Sequence, residues 1–152
     1  MDIKVLLPKE LVVLPLRGGT RRDVLGALSA LLFEEGLISD AEVFLDAVEH
    51  REDEVTTQLA GGVAFPHARS PFVRRLALTV GIAPPPGLAF NPSLDTPCQL
   101  FFLLAIPALA PTSHLPVLQR LANFVHDEKR LSKLLSSETQ AQVAKALHAF
   151  KG

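Results

Sequence analysis

Apolar residues recur at helical spacing toward both ends of this chain and run almost unbroken through its middle. After an apolar lead over residues 5–16, Val24, Leu25, Leu28, Leu31 and Leu32 share one face of a helix that Thr20 can cap and Gly36 can stop. Ser39-Asp40-Ala41-Glu42 reads as a capping box opening a second helix. Val43, Phe44, Ala47 and Val48 form its apolar face, and residues 49–54 are its solvated, charged end. Gly61-Gly62 then precede a short run, Val63-Ala64-Phe65, which Pro66 ends. Residues 76–82 and 99–106 read as strands, the second so apolar that it belongs at the centre of a sheet.

Helical spacing returns after residue 111. Thr112-Ser113 can cap a helix through Leu115, Leu118, Leu121, Ala122 and Val125, with Pro116 tolerated in its first turn. Asp127 starts another helix. Ser137-Glu138-Thr139-Gln140 is a capping box before Val143, Ala146, Leu147 and Phe150. Of the twelve prolines, all but Pro8 and Pro15 lie between Pro66 and Pro116, which separates a strand-and-turn middle from helical flanks. Helices at both ends of a strand-rich middle predict an α/β fold. No repeat or linker divides residues 1–152, so one domain is expected.

Composition narrows the function classes. Fifteen basic and sixteen acidic residues give a formal charge of -1, without the basic surplus that nonspecific nucleic-acid or anionic-membrane binding requires. Trp and Tyr are absent, so no aromatic-basic stripe is available for base stacking. Mean hydropathy is high at +0.28. Even so, Pro84-Pro85-Pro86-Gly87 interrupts one charge-free stretch and Pro107 and Pro111 the next, so neither reaches the ~20 apolar residues of a membrane span. The single cysteine, Cys98, excludes an internal disulfide and reads as a buried structural thiol. The first residues lack the pattern of a secretory signal, and a reducing cytoplasmic setting is expected.

Few residues offer chemistry. His67 follows two glycines and Pro66, which fixes its own φ and drives Phe65 toward an extended conformation. That reads either as a histidine presented rigidly just past a strand or as an ordinary surface histidine after a turn. His114 stands where a helix begins, and free backbone N–H groups there suit an anion; alternatively it is a solvent-facing cap. Arg51 sits in the charged run. His50, His126 and His148 fall on polar stretches and receive no role. Phosphate-cradling GxxxxGK[ST], dinucleotide GxGxxG and nucleophile-elbow GxSxG motifs are all missing, and no histidine spacing suits a metal.

These residues carry a resemblance. Arg51-Glu52, Thr56-Thr57 and Gly62-Val63-Ala64-Phe65-Pro66-His67-Ala68 resemble the signature of enzyme IIA of the bacterial phosphoenolpyruvate-dependent phosphotransferase system, fructose/mannitol type, which includes the nitrogen-regulatory branch. Leu94-Asp95, Pro97 and residues 101–107 are similar to the family's central strand and its exit, and residues 113–122 to its second histidine helix. The likeness covers residues 5–150. Arg69 after Ala68 leans toward the nitrogen-regulatory branch, whereas Gln58, Ala60 and Ala68 stand where the family commonly has glycine.

The resemblance implies a central mixed β-sheet flanked by helices and a phosphocarrier with no cofactor or metal. His67 would accept a phosphoryl group from the histidine-containing phosphocarrier HPr or a paralogue, and pass it to an enzyme IIB or hold it as a signal. His114 and Arg51 would stabilise the phosphoryl oxygens, with Thr57 as a further hydrogen-bond donor. Phe65, Phe72 and nearby prolines, rimmed by Arg69, Arg74 and Arg75, read as a docking patch around His67, with Phe72 alternatively a core residue. A regulatory module gated by phosphorylation of His67, without sugar transport, is the alternative. A metal-dependent hydrolase using His67 and His114 is the third reading.

Overall fold

The computed structural model describes residues 2–152. A short α1 (Ile3–Leu6), a 3-10 turn (Lys9–Leu11) and β1 (Val12–Val13) make up the apolar lead. Helix α2 (Arg21–Glu34) begins at Thr20, whose side chain accepts from the Asp23 N–H while the Asp23 carboxylate accepts from the Thr20 N–H. It buries Val24, Leu25, Leu28, Ser29 and Leu32, and Gly36, at φ 73°, lets the chain leave. Helix α3 (Ala41–Glu54) runs back along α2. Arg21 near the start of α2 pairs with Glu49 and Asp53 near the end of α3, at 2.7 and 2.6 Å.

The cap of α3 departs from the sequence reading by one residue. Asp40 accepts from the Val43 N–H at 3.1 Å, while the Ser39 hydroxyl turns to the Phe72 carbonyl, which the chain brings to it from a distant segment. Phe44, Leu45, Val48 and Glu52 form the buried face of α3; Val43, expected inward, is exposed.

The sheet is mixed, as expected. Strands β2 (Gln58–Leu59), β3 (Val63–Ala64), β4 (His67–Ser70), β5 (Ala77–Ile82) and β6 (Leu100–Pro107) join β1 in the order β1-β5-β6-β3-β2, and β4 also pairs with β6. β5 lies antiparallel to β6 and parallel to β1; β3 and β4 both run parallel to β6. Every residue of β5 is buried, and so is all of β6 except Pro107, so these two strands form the core with helices packed over them. Cys98 lies just ahead of β6, bridged to Leu88 and fully buried.

β3 ends just ahead of Pro66, as expected, but a further strand on the same side of β6 begins directly after it. Ala64 is in register with Phe101 and His67 with Leu104, the same three-residue step on both sides. Phe65 and Pro66 therefore leave the ladder without shifting it. Proline lacks the N–H of a ladder donor, but its carbonyl still accepts from the Leu104 N–H at 3.0 Å. His67 accordingly follows β3, as expected, and also opens β4.

The C-terminal helices are α4 (Leu115–His126), α5 (Glu128–Leu135) and α6 (Gln140–Ala149). Neither Thr112 nor Ser113 caps α4. His114 holds the cap position with helical backbone and no side-chain cap bond, and the Ser113 hydroxyl donates to Ala110. Asp127 caps α5 through the Lys129 and Arg130 N–H groups, as expected. The box before α6 is Thr139 with Gln142, two residues beyond the expected Ser137. Among the described residues, no helix is long and apolar enough to cross a membrane.

Gly62 holds the entry to β3. Its φ is +77°, and a Cβ would lie 2.6 Å from the Pro97 carbonyl oxygen, a rigid backbone atom. Gly62→Ala should therefore lower unfolding free energy by at least about 2 kcal/mol in chemical denaturation. Gly19→Ala, where a Cβ meets nothing within 4 Å, should stay within about 0.5 kcal/mol of wild type.

Candidate functional site

Side chains alternate along β4, so His67 and Arg69 share its outer face while Ala68 and Ser70 are buried. The half-buried His67 ring places Nδ1 2.9 Å from the Phe65 carbonyl oxygen. A carbonyl only accepts, so Nδ1 carries the proton and Nε2 keeps its lone pair. The His114 ring stacks alongside, with centroids 5.6 Å apart and planes 30° apart. Its Nδ1 is buried and makes no hydrogen bond with the described residues.

Helix α3 supplies the opposite wall. Ala47, His50 and Arg51 fall at i, i+3 and i+4, on one side of the helix, and line a cavity of about 440 Å³ with His67, Arg69 and His114. Arg51 Nη1 donates to the Val55 carbonyl at 2.8 Å, which leaves most of the guanidinium's five N–H donors for a ligand. The sequence candidates His67, His114 and Arg51 thus meet at one cavity, joined by Arg69.

Burial lowers the His67 pKa below its ordinary 6.5, and the Arg51 and Arg69 guanidinium groups push the same way. The Phe65 carbonyl bond and the Glu52 carboxylate oppose them and lose. His114 is also lowered, by burial, by His67 and by Arg69. Two imidazoles biased toward the neutral form beside fixed cations can offer a nucleophilic nitrogen and attract an anion. Among the described residues, no group of three or more His, Cys, Asp and Glu side chains is placed to hold a metal ion.

Thr57 stands behind this wall. Its hydroxyl donates to Glu52 at 2.7 Å and accepts from the Phe65 N–H at 3.1 Å. Glu52 is 4% exposed, although it lies in the run read as a solvated helix end. The signal was present: Leu45, Val48 and Glu52 fall at i, i+3 and i+7, so the apolar stripe of α3 runs straight into the carboxylate.

The expected docking patch is partly corrected. Phe65 is buried and stacked on Phe102 with centroids 5.2 Å apart, because its extended backbone turns the ring into the core. Phe72 is exposed, as are Arg69, Arg74 and Arg75. Leu115, whose helical pattern had suggested core, is exposed and lines the cavity, and Leu109 is exposed as well. Cys98 lies apart, with its thiol pushed up to about 12 by burial.

The mixed sheet flanked by helices is that of an α/β domain of the enzyme IIA fructose/mannitol fold. The model of the family described as phosphoenolpyruvate-dependent sugar phosphotransferase system, EIIA 2, matches residues 5–149, and the chain belongs to that family. The chain is 31% identical over 146 residues to the fructose-specific EIIA component of Haloferax volcanii, covering 96% of this chain and 94% of that one. It is 26% identical to part of the fructose-specific EIIABC component of Bacillus subtilis, covering 92% of this chain and 22% of that one. The crystal structure of nitrogen regulatory protein IIA-Ntr from Neisseria meningitidis superposes with a TM-score of 0.84 at 26% identity, covering 95% and 98% of the two chains. The protein is thus a phosphotransferase-system component, a carrier of phosphoryl groups on histidine.

Ring titration followed by NMR should place the midpoints of His67 and His114 below 6.5. Because folding depresses both values, the unfolded chain binds more protons as pH falls through 6.5. Unfolding free energy should decline on acidification from pH 7, and His67→Ala should flatten that decline.

Proposed function

We propose that His67 is the phosphoryl acceptor, taking the group from the phosphohistidine of HPr or a paralogue and passing it to an enzyme IIB or a regulatory target. The observation that carries this reading is the 2.9 Å bond from Nδ1 to the Phe65 carbonyl, which leaves Nε2 as the free lone pair of a ring lining the cavity. The Nε2–P bond forms as the donor's N–P bond breaks, and the electron pair returns to the donor's ring. Positive charge on the phosphorylated His67 is shared with Nδ1–H, which the Phe65 carbonyl steadies.

Transfer between two imidazoles passes through a loose transition state, so the protein contributes position and charge. Arg51 supplies a planar fork for the phosphoryl oxygens. The His114 ring, which lines the same cavity, faces the same anion. The N–P bond of the donor is already activated, so the step needs no nucleotide. Exposed Phe72, Leu109 and Leu115 provide apolar docking area, and Arg69, Arg74 and Arg75 provide a cationic rim for an anionic phosphoprotein. The expected cytoplasmic setting goes with this reading.

The receiver has two candidates. Likeness to fructose-specific components favours an enzyme IIB, and the superposition on IIA-Ntr favours a regulatory target gated by the phosphoryl group. Cys98, buried and with its pKa near about 12, is unsuited to act as an internal receiver.

Incubation with phosphoenolpyruvate, enzyme I and HPr should add one phosphoryl group by intact mass. The group should be lost in acid and kept in alkali. His67→Ala should abolish the gain, and His114→Ala should slow it about 100-fold with the fold intact. Full labelling of His67→Ala would overturn the assignment. Transfer onward to an enzyme IIB, against retention of the label, separates the two receivers.

A further inference from the structure

Glu52 is a buried carboxylate that the chemistry above does not use. It accepts from the Thr56 hydroxyl at 2.9 Å, from the Thr57 N–H at 2.6 Å and from the Thr57 hydroxyl at 2.7 Å. Two of these bonds clamp one residue: Oε2 holds the amide of Thr57 and Oε1 its hydroxyl. A hydroxyl is a free rotor, and committing its proton to Glu52 turns a lone pair toward its other neighbour. That neighbour is the Phe65 N–H, 3.1 Å away.

Phe65 sits in the break of the ladder between β3 and β4, where its N–H has no strand partner. Thr57 supplies one. With the N–H held by Thr57, the ring stacked on Phe102 and the ψ of Phe65 restricted to the extended region by Pro66, the direction of the Phe65 carbonyl is narrowly set. It points at His67 Nδ1. Burying a carboxylate is costly, and apolar packing would hold a helix end at less cost. A clamp at this place has a use only if the group at the far end must be set.

We infer that Glu52 and Thr57 are positioning residues, a hydrogen-bonded relay through the Phe65 peptide that holds His67 in the Nδ1–H tautomer with Nε2 free. This role differs from the direct phosphoryl contact first expected of Thr57, whose proton is committed to Glu52. It rests on His67 being the acceptor for its consequence, but the tautomer can be read without any transfer.

The test uses long-range imidazole ¹H–¹⁵N correlation of His67 in the intact protein, together with the rate of phosphoryl uptake from HPr. Thr57→Val removes the hydroxyl at nearly constant shape, Glu52→Gln breaks the other end of the clamp, and Thr57→Ser keeps the hydroxyl. Circular dichroism identifies the folded variants, and either end of the relay suffices if the other variant fails to fold. Wild type should show the Nδ1–H form. Thr57→Val and Glu52→Gln should shift toward Nε2–H and take up phosphate about 10-fold more slowly, and Thr57→Ser should recover both. Folded Thr57→Val and Glu52→Gln with the wild-type tautomer would overturn the inference; slowed uptake in that case would make Thr57 a phosphoryl contact. A tautomer that shifts as stated in a protein that HPr never labels would leave the relay standing and remove the assignment of His67 as acceptor.

Discussion

The interruption of one strand by Phe65 and Pro66 is the constraint on which the site depends. β6 pairs with β3 on one side of the break and with β4 on the other, in unbroken register, so the break cannot drift. The break turns the Phe65 N–H and carbonyl to side chains, while the Pro66 carbonyl still bonds β6. The Phe65 carbonyl thereby becomes the acceptor for His67. The buried strands β5 and β6 make this rigid, because core residues packed on both faces leave no room for a register slip.

Electrostatics follow from the same placement. His67 opens an outer-face position of β4, half in and half out of the core, where burial disfavours the imidazolium without removing access. Arg51 and Arg69 reach the cavity from α3 and β4, so the cations are near the ring yet belong to different elements. The near-neutral net charge of -1 thus conceals a locally cationic corner. Exposed Leu115 stands at its edge.

Much of the fold was legible because helices and buried strands follow from nearest-neighbour periodicity. The capping residues Thr20 and Asp127 stood where the pattern put them. Displacements arose where another backbone carbonyl, distant or nearby, competes for a capping hydroxyl. Ser39 gave up the cap of α3 to bond Phe72, and Ser113 gave up that of α4 to bond Ala110. Glu52 was misplaced because a run of charges hides which member lies on the helix's inward stripe, and Phe65 because its apolar ring fits either a docking patch or a core.

The sequence alone determined the α/β class, the central place of a strand read over residues 99–106, the absence of a disulfide and, through the spacing of Arg51, Thr57, His67 and His114, the family. These depend on local order, composition and motif, which a linear chain carries in full. Only the tertiary structure decided that β4 resumes after Pro66, that the two imidazoles stack, which His67 nitrogen bears the proton, and that Glu52 reaches Phe65 through Thr57. Each of those joins residues through hydrogen bonds or ring contacts across separate elements, and such directions exist only once β6 has brought the segments into register.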